Sequence, residues 1–450
     1  MKTFFTTLLI VITTSLYSQN IEWETNLGGS DDDGAQSIIQ TIDEGFIVAG
    51  YSRSSDGDVG GNNGDYDYWI VKLDINGTLE WETNLGGSDV DFAKSISQTT
   101  DGGYIIAGFS WSSNGDISGE NNGGYDFWIV KLDTNGTLEW ETNLGGSGFD
   151  AAKSISQTTN GGYIIAGYSS YPDGDVGGNN GDSDYWIVKL DVNGTLIWET
   201  NLGGSGHDTV YSITQTTDGG YIVSGDTYSS DGDVGGNNGN RDIWIIKLDT
   251  NGTLEWETNL GGSGQDIGKS IIQTIDGGFI IIGSSPSSDG DVGGNNGGFD
   301  FWIVKLDGTG NLVWETNLGG SSNDFGYSIT QTLDGGYIVA GISISSDGDV
   351  GGNNGYDDFW IVKLGNPLGI EDTIASKIII NPNPATNIIT ITNLPQEITK
   401  IEVLDMQGRV VLSENNIINN TINISNLQAA NYILKIHVGK SIFYKKVIKK

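Results

Sequence analysis

The sequence predicts an all-β protein: a six-bladed β-propeller with four strands per blade, followed by a small immunoglobulin-like β-sandwich. Three observations carry this. A WET motif recurs at Trp23, Trp81, Trp140, Trp198, Trp256 and Trp314, at spacings of 58, 59, 58, 58 and 58 residues. Each period holds four runs of β-branched and aromatic residues bounded by Gly, Asn and Asp clusters, without helical spacing. From Lys377 onward the repeat stops and short alternating runs replace it. A fixed period of this length means an array or a propeller, and four strands in six copies is the arithmetic of six blades.

The second copy shows the elements in order. Its strands are predicted at Ala93–Thr99, Tyr104–Ser110, Asp126–Leu132 and Thr137–Gly146. A TDGG turn joins the first two, a long glycine-rich loop the middle pair, and a DTNG turn the last two. The first copy begins with a lone last strand, Ile21–Gly29, and the sixth stops after its third, Asp358–Leu364. The N-terminal strand is therefore expected to close the last blade, which removes exposed edges. Matching apolar faces in the last hairpin of a blade pairs Leu73 with Leu79 around Ile75-Asn76-Gly77. Gly77 supplies the left-handed residue such a loop needs. That register puts Lys72 opposite Glu80, and Lys363 opposite Glu22 across the closure. Lys189 and Lys305 face Ile197 and Val313 instead. Twelve of the thirteen tryptophans belong to the repeat, which assigns them to packing between blades.

The chain has 450 residues and a formal charge of −37. A polyanionic partner needs a basic surface, so nucleic acid is disfavoured. Residues 367–450 carry nine Lys/Arg against six Asp/Glu, so nearly all the acid lies upstream. There is no cysteine, and histidine occurs only at His207 and His437. Disulfides, thiolate sites and multi-histidine zinc sites are thereby excluded. Residues 1–18 read as a Sec signal peptide, with cleavage expected near Ser18–Gln19. No following cysteine suggests a lipid anchor, and no other run approaches the ~18 apolar residues of a membrane span.

The long loop of each copy reads SSDGDVGGNNGD or close to it. A second recurrent acid stands three residues past each GGS or its equivalent: Asp33, Asp91, Asp150, Asp208, Asp266 and Asp324. In a four-stranded blade both sets fall on one face, and the opposite face carries only tight turns. Alternating carboxylates separated by glycines can wrap calcium, which takes about six to eight oxygens. The candidate ligands are Asp56, Asp58, Asp65, Asp67, Asp173, Asp175, Asp231, Asp233, Asp289, Asp291, Asp347 and Asp349. The loop is not an EF-hand, because its fifth and twelfth positions are Gly60 and Asp67. The same residues also form turns and tie loops to their own backbone. One column varies where its neighbours hardly change: Arg53, Trp111, Ser170, Tyr228, Pro286 and Ile344. Tyr171 and Arg241 depart from their equivalents too. Arg53, Trp111, Tyr171, Tyr228 and Arg241 are therefore the candidate ligand-binding residues.

The expected domains are the propeller at 20–364, a linker at 365–376 and the sandwich at 377–450. The last of these carries a resemblance. NPNPATNIITI (Asn381–Ile391), IEVLDMQGRVV (Ile401–Val411), NISNLQAANYILKI (Asn423–Ile436) and KKVIKK (Lys445–Lys450) resemble the C-terminal sorting domain of type IX secretion cargo. Its motif positions here are Asn381, Pro382, Asn383, Pro384, Gly408, Lys449 and Lys450; Asn381 stands where the family usually has Tyr or Phe. The resemblance implies Sec export, passage across an outer membrane with the secretion machinery as partner, and release or attachment at the cell surface. The repeats resemble the DGGYIIAG…DFWIVKLDxNGxLxW propeller repeats of secreted proteins from the same bacteria, which imply no activity. Six near-identical blades offer rings of equivalent aspartates and no distinct acid, base and nucleophile. The reading is a secreted or cell-surface binder of glycan or surface partners. A passive scaffold and a glycoside hydrolase using propeller carboxylates are the alternatives.

Overall fold

A computed structural model describes residues 23–119, 121–332, 334–365, 378–392, 397–405, 409–415, 417, 420–438 and 441–450. The signal peptide, Glu22, most of the linker and Gly408 lie outside these. The described residues hold no helix long and apolar enough to cross a membrane. The chain is all-β. Five copies of the repeat form four-stranded antiparallel sheets in sequential order, and the sixth forms a three-stranded one. The tail adds sheets of three and four strands, closed over a core that includes Ile389, Ile401, Leu434 and Val447.

In blade 2 the strands run Asp91–Gln98, Tyr104–Ser110, Asp126–Leu132 and Leu138–Leu144. The third strand is buried at every position, so it reads as an apolar run rather than an alternation. First strands of successive blades touch one another. The Ile155 N–H donates to Ser95 Oγ at 3.2 Å and the Ile213 N–H to Ser154 Oγ at 3.3 Å. These strands therefore line the axis. Every first strand that carries the bulge holds one extra residue, as at Lys94 between Ala93 and Ser95.

Each residue of WET has a separate task. Trp81 lies against Gly136 in the hairpin turn of the next blade, where a methyl group would meet the indole at 2.6 Å. Gly136 also has φ of 81°, so glycine is required twice over. Thr83 Oγ donates to the carbonyl of the same glycine at 2.8 Å. Glu82 turns back into its own blade and accepts the indole N–H of Trp69 at 3.0 Å. The third-strand tryptophans pack between blades as expected: Trp128 is fully buried, 4.5 Å from Tyr68 of blade 1.

At the closure, Trp23–Gly29 makes one of the two sets of contacts a fourth strand makes. Thr25 Oγ donates to the Gly77 carbonyl at 2.7 Å, and Trp23 lies 5.3 Å from Phe46. It is not laddered onto Asp358–Leu364, whose outer edge has no strand partner among the described residues. Phe359 there is 92% exposed. Lys363 bonds Asp334 at 3.0 Å, and its expected partner Glu22 lies outside the described residues.

The hairpin register holds at Leu73 with Leu79, but a bulge at Glu80 places Lys72 opposite Trp81. Glu80 still reaches the Lys72 ammonium at 2.9 Å, and Asp43 of the first turn meets it at 3.0 Å. Lys131 and Lys247 have the same two carboxylates. Blade 3 lacks both, since Ile197 and Asn160 occupy those places. Lys189 makes do with Thr158 Oγ at 2.7 Å and two carbonyls. Burial lowers its pKa to about 8, so the folded blade carries a disfavoured ammonium at neutral pH. Replacing Asn160 by Asp restores one carboxylate, and we expect Asn160→Asp to raise the thermal midpoint by about 1–3 °C. The reverse change at the equivalent position of blade 2, Asp101→Asn, should lower it. Calorimetry at neutral pH compares them, and an unchanged midpoint in both would remove the ion pair from the account.

Candidate functional site

The long loops and the links between blades share one face. Of the two employments the sequence offers the loop acids, cation ligation and backbone tethering, the structure shows hydrogen bonds of the second kind. All but Asp65 and Asp67 accept a hydrogen bond from the link of the preceding blade. Asp56 takes the Ser30 N–H at 2.8 Å and Asp58 the Gly28 N–H at 3.2 Å. Asp173 takes the Ser147 N–H at 2.6 Å and Asp175 the Gly145 N–H at 3.2 Å. Asp231 and Asp233 bind Ser205 and Gly203, Asp289 and Asp291 bind Ser263 and Gly261, and Asp347 and Asp349 bind Ser321 and Gly319. Asp65 pairs with Arg53 at 3.0 Å. Among the described residues no group of three or more His, Cys, Asp or Glu side chains is arranged to hold a metal ion.

Beneath the loops lies a seam of buried carboxylates. Asp67 accepts the Asn63 N–H at 2.6 Å, and Asp91 accepts the Gly87 N–H at 2.8 Å and the Ser112 hydroxyl at 3.0 Å. Both are 0% exposed, and one oxygen of each has no partner. The two face each other across Gly86, where a Cβ would strike both. Burial, with the charges of Asp91 and Asp116 behind it, raises Asp67 to about 7. Asp126 and Asp184 rise likewise to about 7, and Asp242 and Asp300 to about 6.

The varied residues are on the same face but in separate groups. Trp111, 43% exposed, stands 5.5 Å from Tyr125, which lies 5.0 Å from Phe149. Tyr228 is 41% exposed, with the Arg241 guanidinium 5.4 Å from its centroid. Tyr171 is exposed in blade 3, and Arg53 lies 5.6 Å over Tyr66 in blade 1. A cleft lined by Asp276, Lys305, Trp314 and Tyr337 opens on the opposite, tight-turn side.

Toward the axis the structure adds residues that the sequence reading passed over. The bulge residues of the first strands are Gln36, Lys94, Lys153, Tyr211, Lys269 and Tyr327. Bulges re-aim a side chain. Lys269 Nζ lies 3.4 Å from the Tyr211 ring centroid, and Lys153 Nζ lies 5.3 Å from that of Tyr168. Arg241 grips the buried Asp226 with two nitrogens, at 2.6 and 2.7 Å, and donates to Tyr211 Oη at 3.0 Å. Burial lowers Lys153 and Lys269 to about 8 and raises Asp226 to about 6 against the pull of Arg241. A signal existed: the second-strand column reads Tyr51, Phe109, Tyr168, Asp226, Ser284, Ile342, as varied as the loop column that was chosen.

The seam acids generate a pH dependence. A carboxyl raised in the fold holds a proton that the unfolded chain has released, so its contribution to stability falls as pH rises from about 4 to about 7 and is level above. We expect the midpoint to decline across that window, and Asp67→Asn to flatten the slope and raise the midpoint at neutral pH. Millimolar calcium should leave it unchanged, because a cation bound only by the fold would raise it. Thermal scans with calcium and with a chelator decide this; a rise with calcium would return the loops to cation binding.

Three comparisons with known proteins follow from this architecture. Residues 379–450 match the family described as the secretion system C-terminal sorting domain. An uncharacterized WD repeat-containing protein of Acanthamoeba polyphaga mimivirus is 23% identical over 446 residues, covering 73% of this chain. The chain spans 32% of that relative's length. Among solved structures, a protein of unknown function from Bacteroides caccae is 14% identical, with 63% of this chain and 81% of that one covered and a TM-score of 0.37. A gluconolactonase from Xanthomonas campestris is 9% identical, with 76% and 98% covered and a TM-score of 0.34. Likeness of this extent carries nothing about chemistry. In the tail, Asn383 donates to the Lys446 carbonyl and accepts from the Ile448 N–H, both at 2.9 Å, so the NPNP motif and the basic end are one structural unit. This chain is a β-propeller repeat protein whose residues 379–450 form a type IX secretion C-terminal sorting domain, which directs it to the cell surface or the extracellular space.

Proposed function

We propose that the exported propeller is a non-catalytic carbohydrate-binding module acting at the cell surface. One observation carries this reading. On a face whose loops repeat almost letter for letter, the departures include the exposed side chains of Trp111, Tyr171, Tyr228 and Arg53, with the part-buried Arg241 beside Tyr228. Aromatic rings present a flat apolar face to a sugar ring, while polar neighbours fix its orientation. Their spread over four blades suits a long, repetitive ligand held at several points, which gains avidity without a deep pocket. The paired aspartates that could otherwise attract a hydrolytic reading are fully buried beneath the loops, out of a substrate's reach.

The test is binding of the secreted protein to a panel of soluble polysaccharides. We expect saturable binding to at least one, and Trp111→Ala and Tyr228→Ala each to weaken it about tenfold at an unchanged midpoint. If no polysaccharide binds, or both variants bind as the parent does, the propeller is a passive scaffold. Release of reducing ends that one aspartate substitution abolishes would make it a hydrolase.

A further inference from the structure

Eleven Lys and Arg residues lie between Trp23 and Leu364, in a region that holds most of the chain's acid. Six are the repeated third-strand lysines, accounted for by the hairpin. The other five are Arg53, Lys94, Lys153, Arg241 and Lys269. Three of these five are bulge residues on axis-lining strands, and Arg241 reaches in beside them through Tyr211. Positive charge in this domain is therefore either structural or gathered at the axis and its rim.

The three axial lysines have no direct ion pair; Asp226 acts on Lys269 only from beyond contact, and Lys94 donates to Gln36 Oε1 at 3.3 Å. Among the described residues no carboxylate lies within ion-pairing distance of Lys94, Lys153 or Lys269, whereas Lys72, Lys131 and Lys247 each have two. Aromatic faces stand in: Lys94 lies 5.0 Å from Phe92, Lys153 near Tyr168, and Lys269 against Tyr211. The ammonium groups also repel one another, Lys153 with Lys94 and Lys269 with Lys153. Unpaired, half-buried, mutually repelling cations destabilise a fold. What they gain in exchange is a preorganised positive potential among half-buried side chains, of the kind that draws an anion out of solvent. Arg241 is fixed by Asp226, so that edge of the cluster is rigid.

We infer that the axis binds the acidic group of an acidic saccharide, with its carboxylate on Lys153 and Lys269 and its sugar rings continuing outward over Tyr228. This rests on the carbohydrate-binding reading and names its ligand class. A neutral glycan would leave the lysines unpaired. A bare inorganic anion would leave the ring of exposed aromatics without use.

The experiment is titration calorimetry of the full secreted protein with an oligogalacturonate, a neutral oligogalactan of equal length, and inorganic phosphate. We expect the oligogalacturonate to bind, with affinity falling as salt rises, and the other two to bind at least about tenfold more weakly. Lys153→Met and Lys269→Met should each lower oligogalacturonate affinity about tenfold while leaving the thermal midpoint unchanged or raised. A merely structural lysine would not give that pair of results. Equal binding of acidic and neutral oligomers overturns the inference and leaves the carbohydrate reading standing. Phosphate binding as tightly as the oligogalacturonate, with no neutral binding, overturns both the saccharide part and the carbohydrate reading. Methionine variants that bind the oligogalacturonate like the parent overturn the site.

Discussion

The contact on which the rest depends is the clasp of each fourth strand on the next blade. Sheets in a propeller share no backbone ladder, so something must fix the angle and height at which one blade meets the next. Here a tryptophan lies on the glycine of the neighbouring hairpin turn, with a threonine hydroxyl bonded to that glycine's carbonyl. The glutamate between them holds the buried indole of its own blade. The three consecutive residues thus bond forward, backward and forward, and the alternation of a strand is what allows it. The indole N–H of a fully buried tryptophan needs an acceptor, and supplying it from the fourth strand ties that strand's position to the core.

The repeat period, the four strands and the face bearing the acids were all legible, because they follow from spacing and turn chemistry. What escaped was set by partners distant in sequence. Lys72 was read against Glu80 alone, and Asp43, some thirty residues upstream, was invisible to a hairpin argument. The bulge at Glu80 shifts the register by one, yet a long lysine still reaches its acid, so the ion pair forms in either register. The loop acids looked like cation ligands because alternation with glycine suits both jobs. Only the fold shows that amides of the link from the preceding blade bond to them. The axial lysines were missed for another reason: a bulge residue breaks period two, and in a strand read by alternation it looks like an ordinary exposed position.

The tail follows the same logic at smaller scale. The NPNP stretch and the terminal lysines are more than sixty residues apart, yet Asn383 bridges both polar groups of the last strand's end, and the Ala385 N–H donates to the Ile448 carbonyl at 2.8 Å. The Lys450 N–H returns to the Ala385 carbonyl at 2.9 Å. Motifs that look independent in sequence are one edge of one sheet, so either half exposes unpaired backbone without the other.

Sameness in this propeller is itself a packing constraint. A WET residue, a loop aspartate or a turn glycine has its partner in an adjacent copy, so a change in one blade leaves an orphaned group in the next. Columns with such partners cannot drift alone. The bulge column, the sixth residue of the second strand and the residue before the long loop have no backbone partner fixed in the neighbouring blade, and they are among the columns that differ. Free drift on an acidic surface would scatter polar and acidic residues there. Among their eighteen residues the columns hold three lysines, one arginine and seven aromatic rings, with one buried aspartate that orients Arg241; Gln36, Ser170, Ser284, Pro286, Ile342 and Ile344 make up the rest. Variation confined to unconstrained positions is expected of any repeat; a lean toward basic and aromatic side chains at those positions is what the proposed ligand would account for.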